Sequence, residues 1–233
     1  MTDAEFFTAF RRAVSNERID QYIQRGAAGG DENLLTHYAW NMALSEALYI
    51  PIQCLEVSLR NAIHSTLSTA YNNPYWYDDK TLLTAPYAQA DVAKAKQNIR
   101  RLGRRETPGQ VVATLTLGFW TGLFSSEYQN SFWPKFSTNI FSSLPKTDRI
   151  RKKVSGELNV IRKKLRNRIM HHEPIWHQSD LSVKYRNILK YIYAINPAMA
   201  ELNTNLDSFQ TLYFNQMQPF KTDLQQRFPR IGI

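Results

Sequence analysis

Apolar residues recur at steps of three and four along most of this 233-residue chain, and that spacing commits it to helices. Leu55, Leu59, Ile63 and Leu67 make one stripe; Val154, Leu158, Ile161, Leu165 and Ile169 make another. No segment alternates with the period of two that a half-buried strand shows. Glycine is scarce, at nine residues, and long stretches pass without a turn signal. The expected class is all-α, and the length suffices to bury a sizeable core.

Breakers and caps divide the helices. Residues 3–14 read as an amphipathic helix with Phe6, Phe7 and Phe10 on one side. The turn "RGAAGGDEN" follows, with Asp31 as the cap of a helix that runs to Leu48. Pro51 marks the next boundary, and "IQCLEVSLRNAIHSTLSTAY" continues as a second strong helix. "NNPYWYDD" is a loop, and residues 86–104 form a basic helical segment. Thr107 to Ser126 carries no charge and reads as one buried helix from Val111, with Val112, Leu115 and Phe119 on a shared face. Gly118 and Gly122 there suit close packing. Residues 149–171 form a basic helix, capped by Thr147 or Asp148 and closed by Pro174. A further helix runs from Leu181 to Pro197, and residues 201–233 read as one more helix and a tail.

The formal net charge is +9, which favours polyanionic partners, nucleic acid first. The single cysteine, Cys54, excludes an intramolecular disulfide and sits among apolar neighbours, as a buried small hydrophobe does. The first residues lack the basic start and apolar run of a signal peptide, and the uncharged stretch is too polar for a membrane span. A cytoplasmic location and no membrane partner are expected.

The densest chemistry lies in "LRNRIMHHEPIW", residues 165–176. On a helix, Asn167 and His171 share a face, and Arg166 reaches the same zone from one step aside. His171 and His172 fall at the helix end. Histidine titrates near neutral pH and serves as acid or base, and the arginine fork matches phosphate oxygens. Such a set suits an RNA phosphodiester, whose 2′-OH is a built-in nucleophile. The plainer reading is solvated arginines and a helix-capping histidine. A metal site is the other rival: His171, His172 and Glu173 are adjacent, and His177 follows. Adjacent residues diverge by about 100° on a helix, however, and no HExxH spacing occurs. Neither a metal nor another cofactor is expected.

"LRNRIMHHEPIW" resembles the signature of Abi-like proteins, the abortive-infection group of the HEPN superfamily. "YAWNMALSEALYIPIQCLEVSLRNAI", the "YWYDD" loop and "GQVVATLTLGFWTGLF" resemble the same family in the same order, so the likeness spans roughly residues 6–200. It implies a HEPN-type helical bundle with additional N- and C-terminal helices: one domain over 1–233, a core over roughly 32–200, and a C-terminal helix and tail over 201–233. It also implies a metal-independent endoribonuclease that leaves a 2′,3′-cyclic phosphate and acts in phage defence or as a toxin. In that pattern Arg166 matches the arginine and Asn167 the polar residue after it. His171 or His172 matches the histidine, with His171 favoured for its shared face with Asn167. Family members dimerise, which implies a homodimer, and a toxin implies an antitoxin or regulatory partner.

Other residues are expected to support this site. Glu173 follows the histidines. Glu56 and Arg60, four apart, are expected as a partly buried pair beside Asn61. Lys152, Lys153, Arg162, Lys163, Lys164 and Arg168, with Arg100 and Arg101, concentrate positive charge for an RNA backbone. Tyr75, Trp76, Tyr77 and Trp176 are candidates for base stacking and, more readily, for core packing. A non-catalytic RNA-binding or protein-interaction module is the alternative function.

Overall fold

The computed structural model describes residues 3–215, 217–218 and 220–222, and every regular element among them is helical. In chain order, with short 3-10 turns at Trp76–Asp78 and Ser126–Tyr128 between them, the helices are α1 (Asp3–Val14), α2 (Asn16–Gln24), α3 (Asp31–Ala70), α4 (Pro86–Arg101), α5 (Pro108–Thr114), α6 (Leu117–Gly122) and α7 (Trp133–Asn139). Then come α8 (Arg151–Val160), a π-helical segment (Ile161–Arg166), α9 (Asn167–Met170), α10 (Leu181–Ile195), α11 (Pro197–Leu206) and α12 (Phe209–Asn215). The expected C-terminal tail lies, from residue 223 on, outside the described residues.

The chain packs as two compact units. One comprises Met1–Ile50, Leu165–Tyr185 and Leu206–Ile233, the other Pro51–Lys164 and Arg186–Asn205. In the first, Ile19 and Tyr22 of α2 pack with Ala27 and with Leu34 of α3, and Phe10, Val14, Tyr38 and Trp176 close over them. In the second, Trp76 is fully buried amid Phe119, Trp120 and Phe132. There α4 packs on α5 and α6, and α6 on α8.

Several expectations about elements are corrected. The helix does not stop at Pro51: α3 runs 40 residues through it. Proline in a helix interior costs ~3 kcal/mol relative to alanine. Against that stands an unbroken stripe, Leu44, Leu48, Ile52, Leu55, Leu59, Ile63 and Leu67, each at most 2% exposed. Burying each such side chain contributes about 1.5–3 kcal/mol, so the stripe outweighs the proline.

The uncharged helix is two helices. Leu115 and Thr116 are extended, and the Thr116 hydroxyl accepts from the Phe119 N–H at 3.4 Å, capping α6. Thr107 caps α5 in the same way, accepting from the Gln110 N–H at 3.3 Å. Gly118 and Gly122 do allow close approach, but of side chains: a Cβ would meet Arg162 Nη1 at 3.2 Å in the first case and the Tyr87 ring at 3.4 Å in the second.

The basic helix of residues 149–171 widens after Val160 into a six-residue π segment, whose hydrogen bonds run i→i+5. Its turn holds one residue more than an α turn, so faces before and after it are offset. No residue of IRKKLR marks the change. Neither Thr147 nor Asp148 caps α8; Ile150 occupies that position, and Asp148 pairs with Lys153 at 2.5 Å instead. Asp31, expected as a cap, is the first residue of α3 and pairs with Arg11. Cys54 is buried, and burial pushes its thiol pKa up. Among the described residues no helix is long and apolar enough to cross a membrane.

Candidate functional site

The helix that carries Arg166 and Asn167 ends in a tightly built turn. His171 is the last residue with near-helical geometry, and His172 adopts a left-handed conformation at φ 56°. The His172 N–H bonds the Ile169 carbonyl at 3.0 Å, and the Glu173 N–H bonds the Arg168 carbonyl at 2.8 Å. These two bonds define a Schellman ending, whose left-handed position normally belongs to glycine. The end of α4 shows the ordinary version. There Gly103 holds the left-handed position at φ 65°, its N–H bonds the Arg100 carbonyl at 2.9 Å, and the Arg104 N–H bonds the Ile99 carbonyl at 3.1 Å. A Cβ in the left-handed region costs about 1–2 kcal/mol, and the ending at His172 carries that strain; Asn72, at φ 47°, closes α3 with the same two bonds and is the other non-glycine residue at such an ending.

Three side chains hold this ending. Arg168 donates from Nε and Nη2 to the Pro174 carbonyl, at 3.3 and 3.1 Å, and Nη2 lies 3.4 Å from Glu173. Arg18, from α2, donates through Nη1 to the His172 carbonyl and through Nη2 to the His171 carbonyl, the latter at 3.5 Å. Asn41, buried in α3, accepts from the Ile175 N–H at 2.7 Å and the Trp176 N–H at 3.4 Å. Each satisfies backbone groups that a helix end and a proline turn would otherwise leave open.

His171 and His172 are both exposed, while Arg166 and Asn167 are half-buried. The His171 N–H bonds the Asn167 carbonyl at 3.0 Å, so this last turn is α-helical and keeps Asn167 and His171 on one face. Among the described residues neither histidine ring has a hydrogen bond to the protein. Both imidazoles are therefore open to solvent and to a ligand.

The neighbouring His177 differs. Burial, reinforced by the positive charges of Arg25, Arg168 and Lys184, pushes its pKa down to about 4. It is neutral at physiological pH and does not act as a cation. Among the described residues no three His, Cys, Asp or Glu side chains gather where a metal ion could be held, so His171, His172, Glu173 and His177 form no such cluster.

The aromatic candidates divide. Trp76 and Tyr77 are buried, and Trp176 packs on His37 (ring centroids 4.4 Å apart) and beside Gly26. Only Tyr75 is exposed. Among the basic candidates, Lys152, Lys163, Lys164 and Arg101 are exposed. Lys153 is exposed but paired with Asp148, and Arg100 with Glu106 at 2.9 Å. Arg162 is half-buried against Gly118, donating to Asn159 at 2.9 Å. Arg162 and Arg168 thus serve the fold directly, the first beside Gly118 and the second at Pro174.

On α3, Glu56 and Arg60 are half-buried, and the Arg60 Nε is buried without a hydrogen bond among the described residues. Asn61 is exposed. His64 is a structural acceptor: its Nδ1 takes the Trp76 indole N–H at 3.2 Å, and burial lowers its pKa.

Sequence reasoning missed Arg18, Asn41 and His37. The last two were legible: Leu34, His37, Asn41, Leu44 and Leu48 make one stripe at steps of three and four, all buried, with two polar members that need partners. Arg18 carries no such signal, because its contact spans 154 residues of sequence. No protein-family model, curated protein or solved structure matches this chain.

Proposed function

We propose that the protein is a metal-independent endoribonuclease of HEPN type, acting in abortive infection, in phage defence or as a toxin. The observation that carries this reading is the helix end itself: Arg166 and Asn167 lead directly into two exposed histidines, one of them kept in a strained conformation that glycine would relieve. The resemblance to Abi-like proteins, carried by these same residues and by the stretches before them, points the same way. Arg166 binds the scissile phosphate, and Asn167 orients it. One imidazole, His171 first and His172 second, removes the 2′-OH proton as that oxygen attacks phosphorus. The P–O5′ bond breaks, and a protonated imidazole returns a proton to the leaving 5′ oxygen. The products are a 2′,3′-cyclic phosphate and a 5′-OH. A homodimer would bring two helix ends together and supply acid and base from separate chains; an antitoxin or other partner would hold the activity in check.

The test is RNA cleavage in excess EDTA, comparing wild type with Arg166→Ala and His171→Ala and reading the end groups. Cleavage with cyclic-phosphate ends by wild type alone is the expected outcome, with rates at least about a hundredfold lower for both variants. Normal cleavage by a folded Arg166→Ala protein would defeat the assignment. The alternative, a non-catalytic RNA-binding module, draws on a different observation: the exposed arginines 101, 104 and 105 at the end of α4. It predicts binding without cleavage and no effect of His171→Ala.

A further inference from the structure

We infer that Arg18 is a positioning residue for the histidine pair, and that the N-terminal helix α2 is therefore part of the site. The inference rests on the ribonuclease reading above for its chemistry and on the fold alone for its geometry. Helix endings with a positive φ occur at Gly26, Asn72, Gly103 and His172, each with the same pair of backbone bonds, and among the described residues the one at His172 differs in how it is held. At Gly103 the backbone adopts the conformation freely, and among the described residues no side chain caps its carbonyls. At His172 the conformation is strained, and a half-buried guanidinium bridges the carbonyls of both histidines. An arginine fork presents parallel donors and fixes two acceptors relative to each other, which a single ammonium does not.

Arg18 is itself fixed. Its neighbour Ile19 and, one turn on, Tyr22 are each 1% exposed and share a cluster with Leu34, and Trp176, four residues beyond His172, packs on the same cluster. The guanidinium thus ties a rigid helix to the backbone of the two residues whose side chains must be aimed. Once φ and ψ of His172 are set, the direction of its Cα–Cβ bond is set, and His171 follows through the second carbonyl. Without Arg18 the strained residue is free to relax toward ordinary backbone geometry, and the imidazoles lose their common aim.

The experiment uses the full chain with 13C-labelled histidine. The Cα and ring signals of His171 and His172, identified by their disappearance in His171→Ala and His172→Ala, are compared in wild type, Arg18→Ala and Arg18→Lys, alongside steady-state RNA cleavage. The expected result is displaced or broadened signals for both histidines in Arg18→Ala, partly restored in Arg18→Lys. kcat should fall about ten- to a hundredfold, as for a small misplacement of reacting groups, with KM unchanged. Unaltered histidine signals in folded Arg18→Ala overturn the inference whatever the activity. Altered signals with an unchanged kcat overturn the positioning role while leaving the ribonuclease reading intact. A wild type that cuts no RNA strikes the ribonuclease reading, and the histidine signals still decide whether Arg18 holds the pair.

Discussion

At the scale of single residues, this protein places its histidines in contrasting environments. His171 and His172 face solvent, whereas His64 and His177 are half-buried and burial lowers the pKa of both. These two half-buried histidines make stability depend on pH. An unfolded histidine titrates near 6.5, and folded His177 near 4, so between these values only the unfolded chain takes up the proton. The stabilisation is complete above about pH 6.5 and is lost as pH falls toward about 4. His64 acts in the same direction. Urea unfolding across that window should give a midpoint that falls with pH, and His177→Gln should flatten the fall. A wild-type midpoint that is level across the window would contradict the lowered pKa of both residues. Arg166, Asn167, His171 and His172 were legible as one set in the sequence because they lie within seven consecutive residues. Arg18 was not, because nothing local distinguishes an arginine that caps a distant helix from one in water.

At the scale of elements, burial and capping compete with the breakers. The stripe through Pro51 shows burial prevailing over a proline. Thr116 shows the opposite: a run that is apolar enough for one long helix is divided where a hydroxyl caps the next turn. Removing that hydroxyl, as in Thr116→Ala, should cost about 0.5–2 kcal/mol, measured as a lower denaturation midpoint at an unchanged m-value. An unshifted midpoint would mean that the 3.4 Å hydrogen bond is incidental. The π segment is a third case. Val154, Leu158, Ile161, Leu165 and Ile169 are all buried, as their spacing requires, yet the backbone beneath them is widened. Side-chain periodicity reports which residues turn inward and does not report whether a turn carries one extra residue.

At the scale of the whole molecule, charge and chain path matter most. The net charge of +9 and the exposed arginines 101, 104 and 105, which have no ionic partner among the described residues, predict RNA binding that weakens with salt. Replacing the three by alanine should reduce the slope of log affinity against log salt by about 0.7 for each single-strand phosphate that the protein no longer neutralises. An unchanged slope would place the RNA elsewhere. Both compact units are built from separated stretches of sequence, and any single cut breaks the first, whose segments come from both ends of the chain, whereas a cut at residue 50 or 205 leaves the second in one fragment. By itself the sequence determined that the chain is helical, which faces turn inward, and which short stretch gathers arginine, asparagine and histidine. Those properties depend on the spacing and character of neighbouring residues, and spacing is written along the chain. Tertiary structure alone decided that α3 survives Pro51, that Arg168 and Arg162 serve the fold, and that His172 is held left-handed beneath Arg18. Each of these depends on a balance between local strain and contacts with distant residues, and only the packed chain brings those residues within reach.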